Sequence, residues 1–472
     1  MNSVDERFAQ ELVDIDAASL SEEDLIQVER LLYDYATVTF GGSALPWVRT
    51  LRRWAERADG SGNARVIGSG LTVSADLAAH LNATAAHSYE LDDTHGMSLS
   101  HPGSVVLSAV LAVAEAPSVD LAPGDLAAAV VAGYEAIGRL GRTAGASALI
   151  GRGFHPTALL GPFGASVAAG KVLGHSVEEV LVGWGHALSA CSGSMQFSQD
   201  PRGTDIKRLH AGLAARNGVQ AAEMAGMGLG APHDALAGRY GLLGLYAAAE
   251  PNLDELEQSV SGRRTIHEIL LKPYASCALI HATVDALAIA LEGVDVTPEQ
   301  VRAIRIGAQQ KAVDQHMERR PSSPMSAQYS LPFVVGATLT AGPWDYSVYQ
   351  QFEGPQHDQI LAFGDLVEVY LNEELERDFP TRGGSELTVE LVDGTTRAAT
   401  VRESLGSPKV PMAPEQIKRK GEGLLGSSHP ELDLDLLVEH VNSVVRDSDI
   451  TSFMGMLSGA PSAQGATEES LA

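Results

Sequence analysis

The amino-acid sequence predicts a mainly α-helical protein with a smaller α+β domain, and three observations support this prediction. Alanine-rich apolar stretches, separated by glycine and proline, recur through residues 1–270 and are typical of closely packed helices. Val301 to Gly307 then alternates like a strand, and Asp393-Gly394 within a second alternating segment predicts a hairpin with a two-residue type I′ turn. From about residue 411 the pattern becomes helical again.

These changes divide the chain into four predicted segments. Residues 1–270 form the first part of a helical domain, 271–410 form the α+β domain, 411–458 return to the helical domain, and 459–472 are a disordered tail. The helical return includes a predicted helix from Glu431 to Val445. We predict the tail from its serine, glycine, alanine and glutamate content, which offers little apolar surface to bury.

Length and charge exclude several classes of protein. A chain of 472 residues is long enough for two or three domains. Its 60 acidic and 33 basic side chains give a net charge of −27, which opposes binding to nucleic acid. There is no run of roughly 18 apolar residues that would predict a membrane span, and the N-terminus lacks the basic and apolar regions of a secretion signal. We therefore expect a cytoplasmic protein with neither nucleic-acid nor membrane partners.

The sequence also excludes several kinds of cofactor site. Two cysteines, Cys191 and Cys277, are too few for a disulfide framework, an all-cysteine zinc site or an iron–sulfur cluster with three or four thiolate ligands. The sequence contains no Walker A loop, no complete dinucleotide-binding glycine motif and no Gly-x-Ser-x-Gly motif. We therefore expect an active site that uses its own side chains, with no cofactor and no metal.

The first segment with candidate catalytic residues runs from His87 to Gly103. It combines carboxylates and histidines and leads into an apolar helix that begins near Pro102. A carboxylate can orient an imidazole and raise its basicity, and a histidine can move protons near neutral pH. A solvated acidic turn that caps the next helix, or a metal site, would use the same residue types. The acidic and histidine residues are His87, Glu90, Asp92, Asp93, His95 and His101.

Three later segments carry basic residues that an anionic ligand would need. His155 precedes a proline, which favours an extended conformation at a helix entrance, where anions are stabilised. Lys207 follows a Thr-Asp turn, and Lys272 also precedes a proline. His281 and Asp285 are spaced i, i+4 and so share a helix face. Each residue also has a structural alternative. These are an ordinary loop histidine for His155, solvated side chains for Lys207 and Lys272, and a helix-start histidine with a local partner for His281.

Taken together, these segments resemble the MmgE/PrpD superfamily, which includes 2-methylcitrate dehydratase, cis-aconitate decarboxylase and iminodisuccinate epimerase. The resemblance covers nearly the whole chain and depends on six motifs in the same order. The motifs are Val66-Ile67-Gly68-Ser69-Gly70, Asp92-Asp93-Thr94-His95 with His101-Pro102, Gly153-Phe154-His155-Pro156-Thr157, Gly203 to Gly212, Lys272-Pro273-Tyr274 with His281, and Ser330-Leu331-Pro332-Phe333.

The resemblance implies a discontinuous all-helical domain that contains both chain ends, a smaller α+β lid domain and a homodimer. Two positions depart from the family's pattern. Glu90 stands where an aspartate is common, and Cys277 stands where the animal cis-aconitate decarboxylases have a histidine. The active-site positions that the resemblance implies are Glu90, Thr94, His101, His155, Lys207, Lys272 and the segment that ends at His281.

From the residues and the resemblance we expect a cofactor-independent hydro-lyase that acts on a small anionic polycarboxylate of the 2-methylcitrate type by α-proton abstraction. Epimerisation of a dicarboxylate, decarboxylation of a cis-aconitate-type acid, and an inactive binding protein with the same fold are the alternatives. We expect His101, paired with Glu90 or Asp93, to be the base. The predicted catalytic residues are His101, His155, Glu90, Asp93 and Lys272, and the predicted substrate-binding residues are Thr94, Lys207, His281 and Cys277.

Overall fold

A computed structural model gives the fold over most of the chain. It describes residues 3–58, 61–200, 204–257, 262–350, 353–379, 382–425 and 432–459. The predicted tail therefore lies outside the described residues from residue 460 onward. The same is true of Gly203, in one of the six motifs, and of Glu431, at the predicted start of a helix.

The predicted fold class is confirmed, because helices dominate the described residues and the strands form small sheets. In chain order the helices are α1 (Val4–Val13), α2 (Glu22–Ser43), α3 (Pro46–Ala58), α4 (Ala75–Ala86), α5 (Pro102–Ala114), α6 (Asp125–Ala144), α7 (Ala146–Gly151), α8 (Pro156–Val172), α9 (Val177–Ala190), α10 (Ile206–Gly226), α11 (Leu242–Tyr246), α12 (Asp254–Glu257), α13 (Ala278–Ala290), α14 (Gln310–Gln315), α15 (Pro324–Gln328), α16 (Leu331–Ala341), α17 (Ser347–Gln350), α18 (His357–Asp365), α19 (Glu373–Asp378), α20 (Pro414–Leu425), α21 (Leu434–Asp447) and α22 (Ile450–Leu457). Short 3₁₀ helices cover Ala17–Ser19, Met195–Gln199, Thr265–Glu268 and Pro298–Gln300.

The strands are much shorter in total than the helices. They are β1 (Ala64–Arg65), β2 (Thr72–Val73), β3 (Thr94–His95), β4 (Ile269–Leu270), β5 (Val301–Ala308), β6 (Val367–Leu371), β7 (Ser385–Leu391) and β8 (Thr396–Val401). None of the described helices combines the length and the apolar character that a bilayer crossing requires.

The chain divides into two compact units. The helical unit comprises Met1–Met195, Asp205–Ile269 and Leu425–Ala472, so it contains both chain ends. The α+β unit comprises Gln196–Thr204 and Leu270–Leu424.

Small residues allow the central helices of the helical unit to approach closely. A Cβ atom added to Gly161 of α8 would lie 2.8 Å from the Cβ of Ala214 in α10. A Cβ added to Gly218 of α10 would lie 2.3 Å from the Cβ of Ala165 in α8. Both distances are shorter than carbon atoms tolerate, so even an alanine at either glycine would push the two helices apart. The close spacing of α8 and α10 also brings together His155, at the beginning of α8, and His210, near the beginning of α10.

The α+β unit is built on a four-stranded sheet with the order β6-β5-β7-β8. Strand β5 runs parallel to β6 and antiparallel to β7, and β7 and β8 form the predicted hairpin. The predicted type I′ turn is wrong. The loop contains three residues, Val392 to Gly394, because the Leu391 N–H donates to the Thr395 carbonyl oxygen over 2.8 Å. Within this loop only Gly394 has a positive φ, of 91°, whereas a type I′ turn needs a positive φ at both central residues.

Candidate active site

Two helix entrances of the helical unit position His101 and His155. His101 is the N-cap residue of α5, His155 is the N-cap residue of α8, and each precedes a proline at the first helical position. Proline suits that position because its fixed φ matches the helix and its missing N–H would have had no helical partner. The His101 backbone N–H donates to the Thr157 hydroxyl over 3.1 Å and so connects the two entrances.

The ring of His101 is held in one tautomer. Its Nδ1 atom lies 2.9 Å from the backbone carbonyl oxygen of Asp93 and 3.3 Å from the hydroxyl oxygen of Thr94. Because a carbonyl oxygen can only accept, Nδ1 carries a hydrogen, and the lone pair of the neutral ring lies on Nε2. His101 therefore has the protonation pattern of a general base, and Thr94 lies beside its ring.

The predicted pairing of His101 with the Asp93 carboxylate is wrong. His101 contacts the backbone carbonyl oxygen of Asp93 instead. The carboxylate is buried, accepts from the Gly103 N–H over 2.8 Å and accepts from the Tyr134 hydroxyl over 2.6 Å. Burial raises the pKa of Asp93 to about 7, although these two donors oppose the shift. The Asp93 side chain therefore supports the loop that enters α5.

Replacing Asp93 by asparagine should change stability in a pH-dependent way. The pKa of Asp93 is about 7 in the fold, against an ordinary value of 3.8. The folded protein therefore binds this proton more tightly than the unfolded chain does. The stability that Asp93 contributes is full below about pH 4 and is lost as the pH rises through about 7. In urea unfolding, the free energy of unfolding of Asp93→Asn should therefore rise relative to that of the wild type as the pH increases between these two values. If the difference in free energy of unfolding between the two proteins did not vary with pH, the pKa of the Asp93 carboxylate would not be raised in the fold.

A second histidine, to which the sequence assigned no separate role, lies beside His101. The Nδ1 atom of His87 lies 2.7 Å from Oδ2 of Asp92, and this oxygen also accepts from the Ser104 hydroxyl. The rings of His87 and His101 meet edge to face, with centroids 4.7 Å apart. Oδ2 of Asp92 lies 3.5 Å from Nδ1 of His101. Asp92 therefore orients His87, and its carboxylate lies where it would stabilise a positive charge on the His101 ring.

His155 shares a hydrogen bond with His210 of α10. The two Nδ1 atoms are 3.0 Å apart, so one ring donates and the other accepts. Burial is the main cause that lowers the pKa of both rings. The second cause is the electrostatic effect of Lys207 for His155 and of His87 for His210. The pKa of His210 falls to about 4, and that of His155 lies well below its ordinary value. Both rings are neutral at pH 7, so His155 provides a hydrogen-bonding ring and no positive charge.

Glu90 and Lys207 form a buried ion pair. The ammonium group of Lys207, in the first turn of α10, contacts the Glu90 carboxylate, and both side chains are at most 4% exposed. Glu90 also has a φ of 55°, in the left-handed region that residues with a side chain rarely adopt. Such local strain persists where surrounding contacts enforce it, and it is common at functional sites. The structure thus brings together two predicted site residues that are far apart in the sequence.

The same cluster raises the possibility of a metal site. His87, Asp92 and His101 each offer a ligand atom, and these atoms lie within 4.8 Å of one another. Because Nδ1 of His101 donates its hydrogen to the Asp93 carbonyl oxygen, Nε2 is the ring atom that can take up a proton or a metal. The hydrogen bonding is therefore compatible with both kinds of chemistry, and removal of metal distinguishes them. We expect turnover to be unchanged after treatment with EDTA. Loss of turnover that added zinc restores would contradict this expectation.

The other predicted site residues lie in the α+β unit. Lys272 is buried, Cys277 is the N-cap residue of α13, and His281 lies in the first turn of that helix. The ring of His281 is fully buried against Tyr274, with centroids 5.3 Å apart, and its Nε2 lies 3.2 Å from the Ser276 carbonyl oxygen. Burial, assisted by the charge on Lys272, lowers the pKa of His281 to about 3. His281 is therefore a neutral ring that supports the segment before α13.

Tyr274 connects this segment to the body of α13. Its hydroxyl donates to the Asp285 carboxylate over 2.5 Å, and the same carboxylate accepts from the Leu405 N–H over 2.8 Å. His281 and Asp285 share a helix face, as their spacing predicted, but they bond to different partners.

Cys277 has a partner from another part of the α+β unit. Its Sγ atom lies 3.7 Å from Nε2 of His316, and Nδ1 of His316 lies 2.9 Å from the Tyr329 carbonyl oxygen. The predicted site residues thus form two groups, one in each unit, and each group contacts at least one histidine that was not among the predicted site residues.

The chain matches the MmgE/PrpD N-terminal domain over residues 6–253 and the MmgE/PrpD C-terminal domain over residues 274–440. The chain belongs to the MmgE/PrpD family. Its resemblance to this family, inferred from six motifs, is therefore confirmed.

Curated relatives of this MmgE/PrpD chain include several cis-aconitate decarboxylases. The enzyme of Aspergillus terreus is 26% identical over 466 residues, which cover 93% of this chain and 94% of the relative. The enzyme of Mus musculus is 26% identical over 434 residues, covering 89% of this chain and 86% of the relative. The enzyme of Homo sapiens is 24% identical over 438 residues, which cover 89% of this chain and 87% of the relative.

Sequence reasoning missed some hydrogen-bond partners of the predicted site residues of this MmgE/PrpD chain, for identifiable reasons. His210 follows Lys207 by three positions on α10, so helical spacing was a signal that could have indicated it. His87 and Asp92 belong to the acidic segment, but only the fold shows which ring each carboxylate contacts. His316 lies 39 residues from Cys277 and has no local signal at all.

Proposed function

We propose that this protein is a cofactor-independent lyase that removes water from a small anionic polycarboxylate of the 2-methylcitrate type. The observation that supports this best is the fixed tautomer of His101, which places the lone pair on Nε2 and has the Asp92 carboxylate close by. Elimination of water begins with a base that takes a proton from carbon. Decarboxylation, by contrast, begins with the loss of carbon dioxide and then needs a proton donor.

In the proposed reaction, Nε2 of His101 takes the proton from the carbon next to a carboxylate. The electron pair of that C–H bond forms a carbon–carbon double bond, the bond to the β-hydroxyl oxygen breaks, and the hydroxyl leaves as water after gaining a proton from solvent. Asp92 stabilises the imidazolium of His101. Lys207 would stabilise the negative charge that builds up on the substrate carboxylate, which is usually the largest contribution to catalysis.

The remaining predicted residues have binding and supporting roles in this proposal. The neutral His155 ring and the Thr94 hydroxyl would form hydrogen bonds to the substrate, with His210 and His101 as their respective neighbours. Glu90 would hold Lys207 in position.

Decarboxylation of a cis-aconitate-type acid is the second candidate function. It is favoured by the relatives named cis-aconitate decarboxylase, one of which aligns with 93% of this chain. Lys207 would hold a substrate carboxylate, and a protonated side chain would deliver a proton to the carbanion left by carbon dioxide.

Product analysis by NMR distinguishes these functions. The wild-type protein should be incubated separately with citrate, 2-methylcitrate, cis-aconitate and iminodisuccinate. We expect interconversion of a hydroxy acid and its alkene, with no release of carbon dioxide. Release of carbon dioxide from cis-aconitate without hydration would support the second candidate instead, and inversion of iminodisuccinate would support an epimerase.

We also propose that the protein is a homodimer. Several large apolar side chains on the described surface are highly exposed, among them Met227 by 85%, Tyr240 by 67% and Leu229 by 55%. Exposed apolar groups of this size are common at interfaces between subunits. Sedimentation should give about twice the chain mass of 49.6 kDa, and a monomer at micromolar concentration would contradict the proposal. The expected cytoplasmic location stays a prediction.

A further inference from the structure

Helix α3 of the helical unit carries a row of arginines on its exposed side. Arg49, Arg53 and Arg57 follow one another at intervals of four residues, a spacing that places side chains on one face of a helix. Arg53 and Arg57 are exposed and Arg49 is partly exposed, whereas Val48 and Ala55 of the same helix are buried. The arginine row, defined by these three residues, therefore lies on the side of α3 that faces away from the core.

The charge of α3 is opposite to that of the whole chain. Its 13 residues include four arginines, which are the three of the row and Arg52, and one acidic residue, Glu56. Four positive charges minus one negative charge give the helix a net charge of +3, whereas the chain has a net charge of −27. The row therefore attracts anions locally, although the protein as a whole repels them.

The arginine row has no acidic partner among the described residues. Nη2 of Arg53 donates to the Thr50 hydroxyl over 3.0 Å, and no ion pair joins the row to a carboxylate of the described chain. By contrast, the surface arginines Arg305 and Arg446 each pair with two glutamates. The described fold thus leaves the charge of the row without a neutralising group.

Repulsion between the arginines acts against helix α3. Like charges four residues apart destabilise a helix, and the row contains two such pairs. Burial lowers the pKa of Arg52, and although Glu56 opposes this shift, the charges on Arg49 and Arg53 lower the pKa further. An arrangement that opposes the stability of its own helix is typical of a functional surface. An anionic partner would remove the repulsion.

The dimensions of the arginine row match those of an extended acidic segment. A helix rises about 1.5 Å per residue, so successive arginines of the row are about 6 Å apart along the helix axis. In an extended chain, alternate side chains lie on the same side and are about 6.6 Å apart. Three acidic residues at alternate positions can therefore contact all three arginines at once, and a guanidinium group can form paired hydrogen bonds with each carboxylate.

Trp54 provides an apolar surface beside the row. It precedes Arg57 by three residues, so the two side chains are neighbours on the helix. Trp54 is 47% exposed, and its ring meets that of His80 of α4 edge to face, with centroids 6.2 Å apart. Tryptophan and arginine are enriched where proteins bind one another. The combination therefore favours a polypeptide partner over a small inorganic anion.

The net charge of the protein distinguishes among the large anionic partners. At physiological salt, charges are screened over about 8 Å, so a single extended segment on α3 interacts mainly with the row. A membrane surface or a nucleic acid duplex is much wider than the row and would also meet the acidic remainder of the protein. We propose that the arginine row and Trp54 bind an extended acidic segment of a partner protein, with acidic residues at alternate positions.

Fluorine NMR of the full chain, labelled with 5-fluorotryptophan, tests this binding. The probe is a peptide in which glutamate alternates with alanine, added at a salt concentration of about 0.15 M. We expect the peptide to shift the Trp54 signal in a saturable way and to leave the signal of the fully buried Trp184 unchanged. Trp54→Phe assigns the signal. A peptide with glutamine in place of each glutamate should cause no shift.

The double variant Arg53→Gln/Arg57→Gln tests the contribution of the row. It should weaken binding of the glutamate peptide by about tenfold, because an exposed ion pair contributes a factor of up to about five. Its unfolding temperature should not fall, since it removes neighbouring like charges from α3. Arg305→Gln is the matched control, because Arg305 is an exposed arginine outside α3, and it should leave the affinity unchanged.

Other occupants of the row would give different results. Absence of a saturable Trp54 shift, or equal affinity of the wild type and the double variant, would overturn the proposal. Tighter binding of single-stranded DNA or of phosphatidylserine vesicles than of the peptide would also overturn it. A change in the sedimentation mass of the double variant would instead assign the row to an interface between copies of this chain. Turnover of the acids should be the same in the double variant as in the wild type, so the proposed function can fail while peptide binding persists.

Discussion

Replacing His101 by glutamine is expected to lower kcat by about 10²- to 10⁴-fold, the usual contribution of a general base. The glutamine amide can still donate to the Asp93 carbonyl oxygen, so the loop before α5 should keep its conformation. It cannot take a proton from carbon, because an amide is not basic. Steady-state kinetics with the acid identified by product NMR would measure the loss.

His233→Gln is the matched control for this variant. His233 is an exposed histidine paired with Glu178 over 3.1 Å, so its replacement should leave kcat unchanged. If His101→Gln retained more than about a tenth of the wild-type kcat, His101 would not be the base.

Replacing Glu90 by glutamine is expected to lower the free energy of unfolding by about 3–5 kcal/mol. The variant removes the carboxylate charge that the buried Lys207 ammonium contacts, and breaking one side of a buried ion pair leaves the other charge poorly compensated. Urea unfolding monitored by circular dichroism would measure the change. The double variant Glu90→Gln/Lys207→Met should recover much of the stability, because it removes the remaining charge as well.

Asp365→Asn is the matched control for the ion pair. Asp365 pairs with Arg320 over 2.8 Å, but both side chains are about half exposed, so its loss should change stability by less than about 1 kcal/mol. If Glu90→Gln lowered the free energy of unfolding by no more than Asp365→Asn does, the buried Glu90–Lys207 pair would not make the expected contribution to stability.

The sequence predicted the features of the site that depend on neighbouring residues. The prolines after His101 and His155 predicted two helix entrances, and the structure places both histidines there. The change from helical to alternating pattern predicted the sheet that contains β5, β7 and β8. These predictions succeeded because local backbone preferences and the spacing of apolar residues determine them.

Features that depend on contacts across the fold could not be predicted. The abundance of histidine in the acidic segment favoured function, yet His95 bonds to Ser98 and Glu268 and does not join the group around His101. The Asp93 carboxylate bonds to Tyr134, which lies 41 residues away. The left-handed conformation of Glu90 was also not predicted, because it depends on tertiary contacts and opposes the local preference of the residue.

The central claim is that this protein takes a proton from the carbon next to a carboxylate of a small polycarboxylate, with His101 as the base. The most direct measurement follows 2-methylcitrate by NMR in deuterated water with the wild type and with His101→Gln, and measures binding to both by calorimetry. We predict that the wild type loses the C–H signal as the alkene appears, and that His101→Gln binds the acid but leaves its C–H signal unchanged. Alkene formation by His101→Gln at the wild-type rate would contradict the account.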